Sequence, residues 1–368
     1  MDIFSYVLVA VIFLLMISVL VAAHELGHYL FARLFKMDVE EFAIGFGKPK
    51  WVWLKKNDTE YTFRAWPLGG FVRIKGMAPE EDGSEVNIQN GFYSKPPWQR
   101  LIVLAAGPVF SIVFGIMILT PLLMSQGKTV FGSEPVVAAV TPEGPAALAG
   151  VQEGDRITSV NGHPVENAYN VIERVRFAGP EPVTLEFLRE GQPMTVVAAP
   201  VLDAEPMPVL DEGQRPFGPA RKQYRLMMLL QMEQQPLAFG AAAQEAAFLP
   251  VLIVQRLAVL AQNPQTARQE VGGPITIVAA TNNATRAGIG GVLFLSGILS
   301  ISLGIMNLLP IPPLDGGQMT VAIAEMLNKG KRLSFKLQNA ISAVGLVMVA
   351  LLIVSVLLVD VSRFFVPR

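Results

Sequence analysis

The chain has 368 residues, 52% of them hydrophobic and only 16% charged, with a formal net charge of −1. That balance gives no basis for nucleic-acid binding and makes an integral membrane protein the first expectation. The absence of cysteine excludes disulfide scaffolds, thiolate metal sites and cysteine nucleophiles.

Phe4 to Ala23 contains no charged residue. About 20 apolar residues suffice to cross a hydrocarbon core of about 30 Å as a helix. The run is long for a signal peptide and is preceded by Asp2 rather than Lys or Arg, so it reads as a first span. Further apolar runs cover Leu101 to Met124, about Val292 to Leu309, and about Ile341 to Val359, giving four expected spans and both termini on one side. Lys and Arg are frequent between Arg33 and Arg100, and again at Lys329, Lys331, Arg332 and Lys336. The positive-inside bias therefore places those loops in the cytoplasm and the termini outside.

Between the second and third spans, about Ser133 to Val201 alternates as short strands punctuated by Gly and Pro, which predicts a small β-rich domain on the outer side. From about Pro219 to Gln262 the pattern reads as helical. Its apolar core, Phe248 to Val254, is short for a span, so an interfacial amphipathic helix is expected. The predicted organisation is residues 1–124 with two spans and a loop at about 33–100, 125–202 as the β-rich domain, 203–288 as linker and amphipathic helices, and 289–368 with two more spans.

The first span ends in Val21-Ala-Ala-His24-Glu25-Leu-Gly-His28. His24 and His28 are four residues apart, which puts both imidazoles on one helix face where they can grip one metal ion, with Glu25 beside it as a base. The motif begins nine residues before Arg33, well over 10 Å below that anchor at about 1.5 Å per residue. Ionisable groups at such depth are costly and face a bundle interior, paired or bound. A hydrolytic zinc site takes three protein ligands and leaves a position for water. His163 lies in the outer domain, so by elimination the third ligand is a carboxylate. Asp315 is the candidate, because the third span delivers Asn307 to Asp315 to the same depth. Pro310, Pro312, Pro313, Gly316 and Gly317 break the helix there, and irregular backbone at membrane depth suits a protein-enclosed cavity. Asp315 can also cap the short helix expected from about Gln318 to Leu327.

These residues resemble the intramembrane zinc metalloproteases of the site-2 protease family, in the bacterial branch of regulators of sigma-E protease. His24-Glu25-Leu26-Gly27-His28 matches the family's zinc motif, and Asn307 to Gly317 matches its Asn-x-x-Pro-x-Pro-x-Leu-Asp-Gly-Gly motif. Arg64 to Gly76 resembles its membrane-re-entrant β-loop, and Leu104 to Pro108 the start of its second span. Ser133 to Val165 resembles a PDZ domain, with Pro145, Ala146, Ala149, Gly150, Gly154, Asp155, Asn161 and Gly162 in the usual pattern. The chain departs from many relatives at Gln318 and Ser111, and it has room for one PDZ-like domain rather than a tandem pair.

The resemblance implies a polytopic α-helical membrane enzyme with a membrane-associated β-loop and one inserted PDZ-like domain, in the bacterial inner membrane with its active site toward the cytoplasm. It implies Zn2+ as cofactor, His24, His28 and Asp315 as ligands, and Glu25 as the catalytic base. Substrates would be single-span membrane proteins, such as trimmed anti-sigma factors or leftover signal peptides, cut within the lipid bilayer. The substrate helix must unwind, and Gly69, Gly70, Phe71 and Arg73 lie on a strand that could pair with it. Asn307 would either bond the substrate backbone or cap and pack. The PDZ-like domain would capture a peptide end, exclude large ectodomains, or act as a spacer. The rival reading is a non-catalytic PDZ membrane scaffold, against which the intact Glu25 counts; a metal transporter would need further buried acids or histidines.

Overall fold

The computed structural model describes residues 3–77, 84–203, 222–262 and 272–365. Two compact units emerge: Leu123–Ala238, and the remainder of the chain.

The larger unit begins with α1 (Ile3–Leu34), one helix that carries the apolar run and the His-Glu-x-x-His motif without interruption. It turns into two long strands, β1 (Val39–Lys56) and β2 (Thr59–Ile74). Their register folds them into four shorter segments. Residues 39–44 pair with 70–74, residues 41–44 pair also with 60–63, and residues 50–56 pair back onto 59–64. Segment 70–74 is therefore an edge, bonded on one side only among the described residues. The α2 helix (Pro97–Gln126) opens on a proline at its first position, where the missing N–H costs nothing, and contains Pro108 and Pro121.

The smaller unit centres on an antiparallel sheet of four strands in the order 163–164, 156–160, 183–189, 192–198, with α3 (Pro145–Leu148) and α4 (Ala168–Ala178). Val160, Val171, Leu185 and Phe187 form its core with Leu226 and Leu230. Residues singled out by the PDZ-like pattern shape its turns. Asp155 accepts from Arg189 Nε and Nη2, each at 2.8 Å. Asn161 sits at φ +52° and its Oδ1 accepts from the Thr184 amide at 2.8 Å.

Two expectations about this region need correction. The segment expected to be helical from about Pro219 forms strands at Tyr224–Arg225, Met228–Leu230 and Met232–Gln235, and the helix starts only at Phe239; residues 219–221 lie outside the described residues. The last two strands pair with Val137–Val140 and Lys128–Phe131, so the compact unit runs past residue 202 to Ala238. Burial of Leu226 and Leu230 in that core outweighs the helical preference of a Leu/Met-rich run, because strand preference is decided by packing.

The larger unit resumes with α5 (Phe239–Gln262), α6 (Pro274–Arg286), α7 (Ile289–Leu308), α8 (Asp315–Leu327) and α9 (Phe335–Phe365). Among the described residues, five helices are long and apolar enough to cross a membrane, one more than expected. The addition, α5, has the lowest mean hydropathy, 1.4 against 2.1 to 3.0 for the four expected spans. The α6 helix packs on α1, α7 and α9, and α5 packs on α7.

Candidate metal centre

The motif on α1 meets α2 where both backbones are bare. A Cβ on Gly27 would collide with the Ala106 carbonyl, and one on Gly107 would enter the His28 ring. These glycines allow the helices to approach until α2 backs both imidazoles. The His28 Nδ1–H donates to the Val103 carbonyl at 2.8 Å, and His24 Nδ1 meets the Ser111 hydroxyl at 2.9 Å. With each Nδ1 so engaged, each Nε2 lone pair is aimed at the same point; the tautomers are assigned from these partners.

Asp315 arrives from a separate part of the chain. The α7 helix stops at Leu308, ahead of Pro310, and α8 starts at Asp315 itself, with Leu314 at the cap position. Asp315 is thus in the first turn rather than the cap. Gly317 allows this return, since a Cβ there would lie 2.6 Å from the Pro312 nitrogen. The Asp315 Oδ2 lies 3.1 Å from His24 Nε2 and 3.4 Å from His28 Nε2, and the two Nε2 atoms are 3.3 Å apart.

Among the described residues, His24, His28 and Asp315 form the cluster able to hold one metal ion. Two imidazole lone pairs and a carboxylate oxygen repel one another at this range, and one shared proton would satisfy a single edge of the triangle, not three. A cation at its centre satisfies all of them. With bonds of about 2.0–2.1 Å, the ligand atoms of a tetrahedral zinc site stand about 3.3–3.4 Å apart, which matches the three separations. The donor set of two imidazoles and a carboxylate also suits zinc.

Glu25 is half-buried beside this cluster, with its carboxylate near the Val72 amide on the edge segment. Gly70 makes that contact possible: a Cβ there would lie 2.7 Å from the Ala43 carbonyl, 2.9 Å from Val21 Cγ1 and 3.6 Å from Glu25 Cγ. Gly69 adopts φ +108° and packs on the Phe46 ring. Phe71 stacks on Phe46 at 6.1 Å between ring centres, while Arg73 turns toward Glu41 at 3.5 Å. Asn307 donates its amide to the Leu303 carbonyl of its own helix at 3.0 Å. His163 belongs to the smaller unit and is not one of the cluster's residues.

A cavity of about 710 Å³ opens along the edge segment. Phe71 to Ile74 form one wall; Leu104 and Arg100 of α2, Gln318 and Val321 of α8, and Ile341 of α9 form the others. The contributions of Ser111, Val103 and Gly107 were not foreseen as site residues. The small residues Ala105, Ala106 and Gly107 beside the second span's start were the available sign of a close helix crossing.

Comparison with known proteins agrees with this chemistry. The profile of peptidase family M50 matches residues 12–352. A Clostridium perfringens protein named as a zinc metalloprotease is 31% identical, with 95% of this chain and 97% of that protein covered. The zinc metalloprotease RasP of Bacillus licheniformis is 29% identical over 96% of this chain and 98% of its own. The regulator of sigma-W protease RasP of Bacillus subtilis is 28% identical over 98% of this chain and all of its own length, 100%.

Proposed function

We propose, from the premise that this chain belongs to peptidase family M50 and is a zinc metalloprotease, that it cuts peptide bonds within the spans of single-span membrane proteins. The observation that carries the reading is the convergence of His24, His28 and Asp315, on helices long and apolar enough for a bilayer or directly following one, with Glu25 alongside. These three residues would hold zinc, which would supply a Lewis acid able to activate water at neutral pH. Glu25 takes the proton of the attacking water and returns it to the leaving amide nitrogen.

A helical substrate keeps its carbonyls bonded to its own amides, so it must unwind before attack. The free edge of residues 70–74 runs beside Glu25 and offers main-chain partners that lipid lacks. The cavity along that edge has room for a few extended residues. Gly70 keeps the strand against α1 and Gly69 seats it on the Phe46 ring, Phe71 and Arg73 line the cleft, and the Asn307 amide, now bonded to its own helix, is a candidate partner for the substrate backbone.

Anti-sigma factors trimmed outside the membrane, or leftover signal peptides, fit such a site, and a bacterial inner membrane fits the relatives. Four spans, α1, α2, α7 and α9, put both termini and the PDZ-like unit outside and the metal toward the cytoplasm. The α5 helix then lies at the interface: between Glu245 and Gln255 its apolar run is nine residues, about 14 Å at about 1.5 Å per residue, against a core of about 30 Å.

The test is cleavage of a purified single-span substrate in lipid vesicles, with the cut mapped by mass spectrometry. Products ending inside the span, lost on zinc chelation, are expected. A cut confined to residues outside the span would refute the reading.

A further inference from the structure

The two imidazoles are held in unequal ways. His28 donates to a backbone carbonyl, that of Val103, which accepts only, so one tautomer is enforced. His24 meets the Ser111 hydroxyl instead, a side chain that substitution can remove. Ser111 is fully buried, and its own carbonyl accepts from the Ser300 hydroxyl on α7 at 2.7 Å. Ser300 is fully buried too. A relay of two hydrogen bonds thus ties α7 to α2 and α2 to His24, across three helices.

We infer that Ser111 is the positioning residue for the metal centre: its hydroxyl turns His24 so that Nε2, not Nδ1, faces Asp315, and Ser300 fixes the turn of α2 from which it acts. This rests on the reading of His24, His28 and Asp315 as zinc ligands. The physical case follows from what each nitrogen can do. If His24 carried its proton on Nε2, an N–H would point into the space that the three donors share, and no cation could enter. The acceptor at Nδ1 keeps the proton on the outer side and also makes the inward lone pair more basic. No other hydrogen-bond partner of His24 Nδ1 is found among the described residues. Because a hydroxyl can donate as well as accept, it biases this tautomer less firmly than the Val103 carbonyl biases that of His28. His24 is therefore the ligand whose geometry depends on one side chain.

The experiment compares Ser111→Thr with Ser111→Val in the full chain. The two side chains have nearly the same shape and differ by hydroxyl against methyl, so any packing cost is shared. Zinc affinity is read by chelator competition, and ligand geometry by the absorption of the Co2+-loaded protein, neither of which needs proteolysis. Ser111→Val is expected to weaken zinc by about 10–100-fold relative to Ser111→Thr, the usual effect of losing a group that orients a ligand. Its cobalt bands should change while those of Ser111→Thr stay like the native protein's. Should neither variant fold, Ser111→Ala against the native protein carries the same comparison, since it removes one oxygen and adds nothing. Equal zinc affinity with and without the hydroxyl would overturn the inference. His24→Ala is the control: if zinc affinity survives it, the ligand assignment has failed, whereas loss on His24→Ala with no effect at Ser111 refutes the positioning role alone.

Discussion

Arg100, at the start of α2, and Glu325, near the end of α8, form a buried ion pair at 2.5 Å across 225 residues of sequence. It joins the helix that backs both imidazoles to the helix that brings Asp315. Glu325 also accepts from the Leu333 amide at 3.3 Å, and the Arg100 guanidinium lies over the Tyr93 ring at 4.9 Å. Removing one partner of a buried pair strands the other charge at a cost of about 3–5 kcal/mol, whereas replacing both with apolar groups is far milder. Glu325→Leu is therefore expected to lower the unfolding midpoint in detergent sharply, and Arg100→Leu combined with Glu325→Leu to recover much of it. A double variant as unstable as the worse single one would contradict this account.

Glu25→Gln should keep fold and zinc, because the ligands are untouched, and lose cleavage. General-base contributions run to about 10²–10⁴-fold, so the residual rate on a model membrane substrate should fall by about that range. Normal turnover would show that the proton goes elsewhere.

Asp315→Asn exchanges a charged oxygen donor for a neutral amide, a poor zinc ligand, so metal retention after chelator challenge should drop steeply. Undiminished zinc stoichiometry would point to a different third donor.

Burial alone would push the Glu41 carboxyl up, but hydrogen bonds from Thr62 at 2.7 Å and from Arg64 at 2.7 and 2.8 Å outweigh it and hold the group below its ordinary value of 4.5. A depressed folded value means stability present above pH 4.5 and lost as pH falls toward the folded value. Arg64→Gln removes the cation, so the β-loop should loosen at higher pH than in the native chain. Emission from Trp51, Trp53 and Trp66 on these strands reports it; coincident pH curves would exclude the role assigned to Arg64.

If the smaller unit lies on the outer side, as proposed, it would exclude substrates with large ectodomains. Deleting only 133–201 would remove Val137–Val140 and so orphan its partner strand Met228–Leu230, and the informative variant therefore replaces the whole unit Leu123–Ala238 with a flexible linker. It is expected to cut an untrimmed substrate that the full chain resists, at an unchanged rate on a trimmed one. Continued resistance would make the unit a docking module or spacer.

What could be read from the sequence was what depends on local spacing. Four residues between His24 and His28 fix a shared helix face whatever surrounds them, and the length of an apolar run decides whether it can cross a bilayer. Proline and glycine after Asn307 announce a break by removing an amide or a Cβ. Contacts between distant segments left no such trace. Ser111 reads as one more small residue until His24 is placed against it, and Arg100 and Glu325 read as ordinary charges until burial forces them together. The strands at 228–235 look helical by composition, and what makes them strands, their pairing partners at 128–140, lies about a hundred residues away. The identity of the donors was thus set by covalent spacing and residue chemistry. Their orientation was decided by tertiary packing, since a ring nitrogen is aimed only by what its other nitrogen touches.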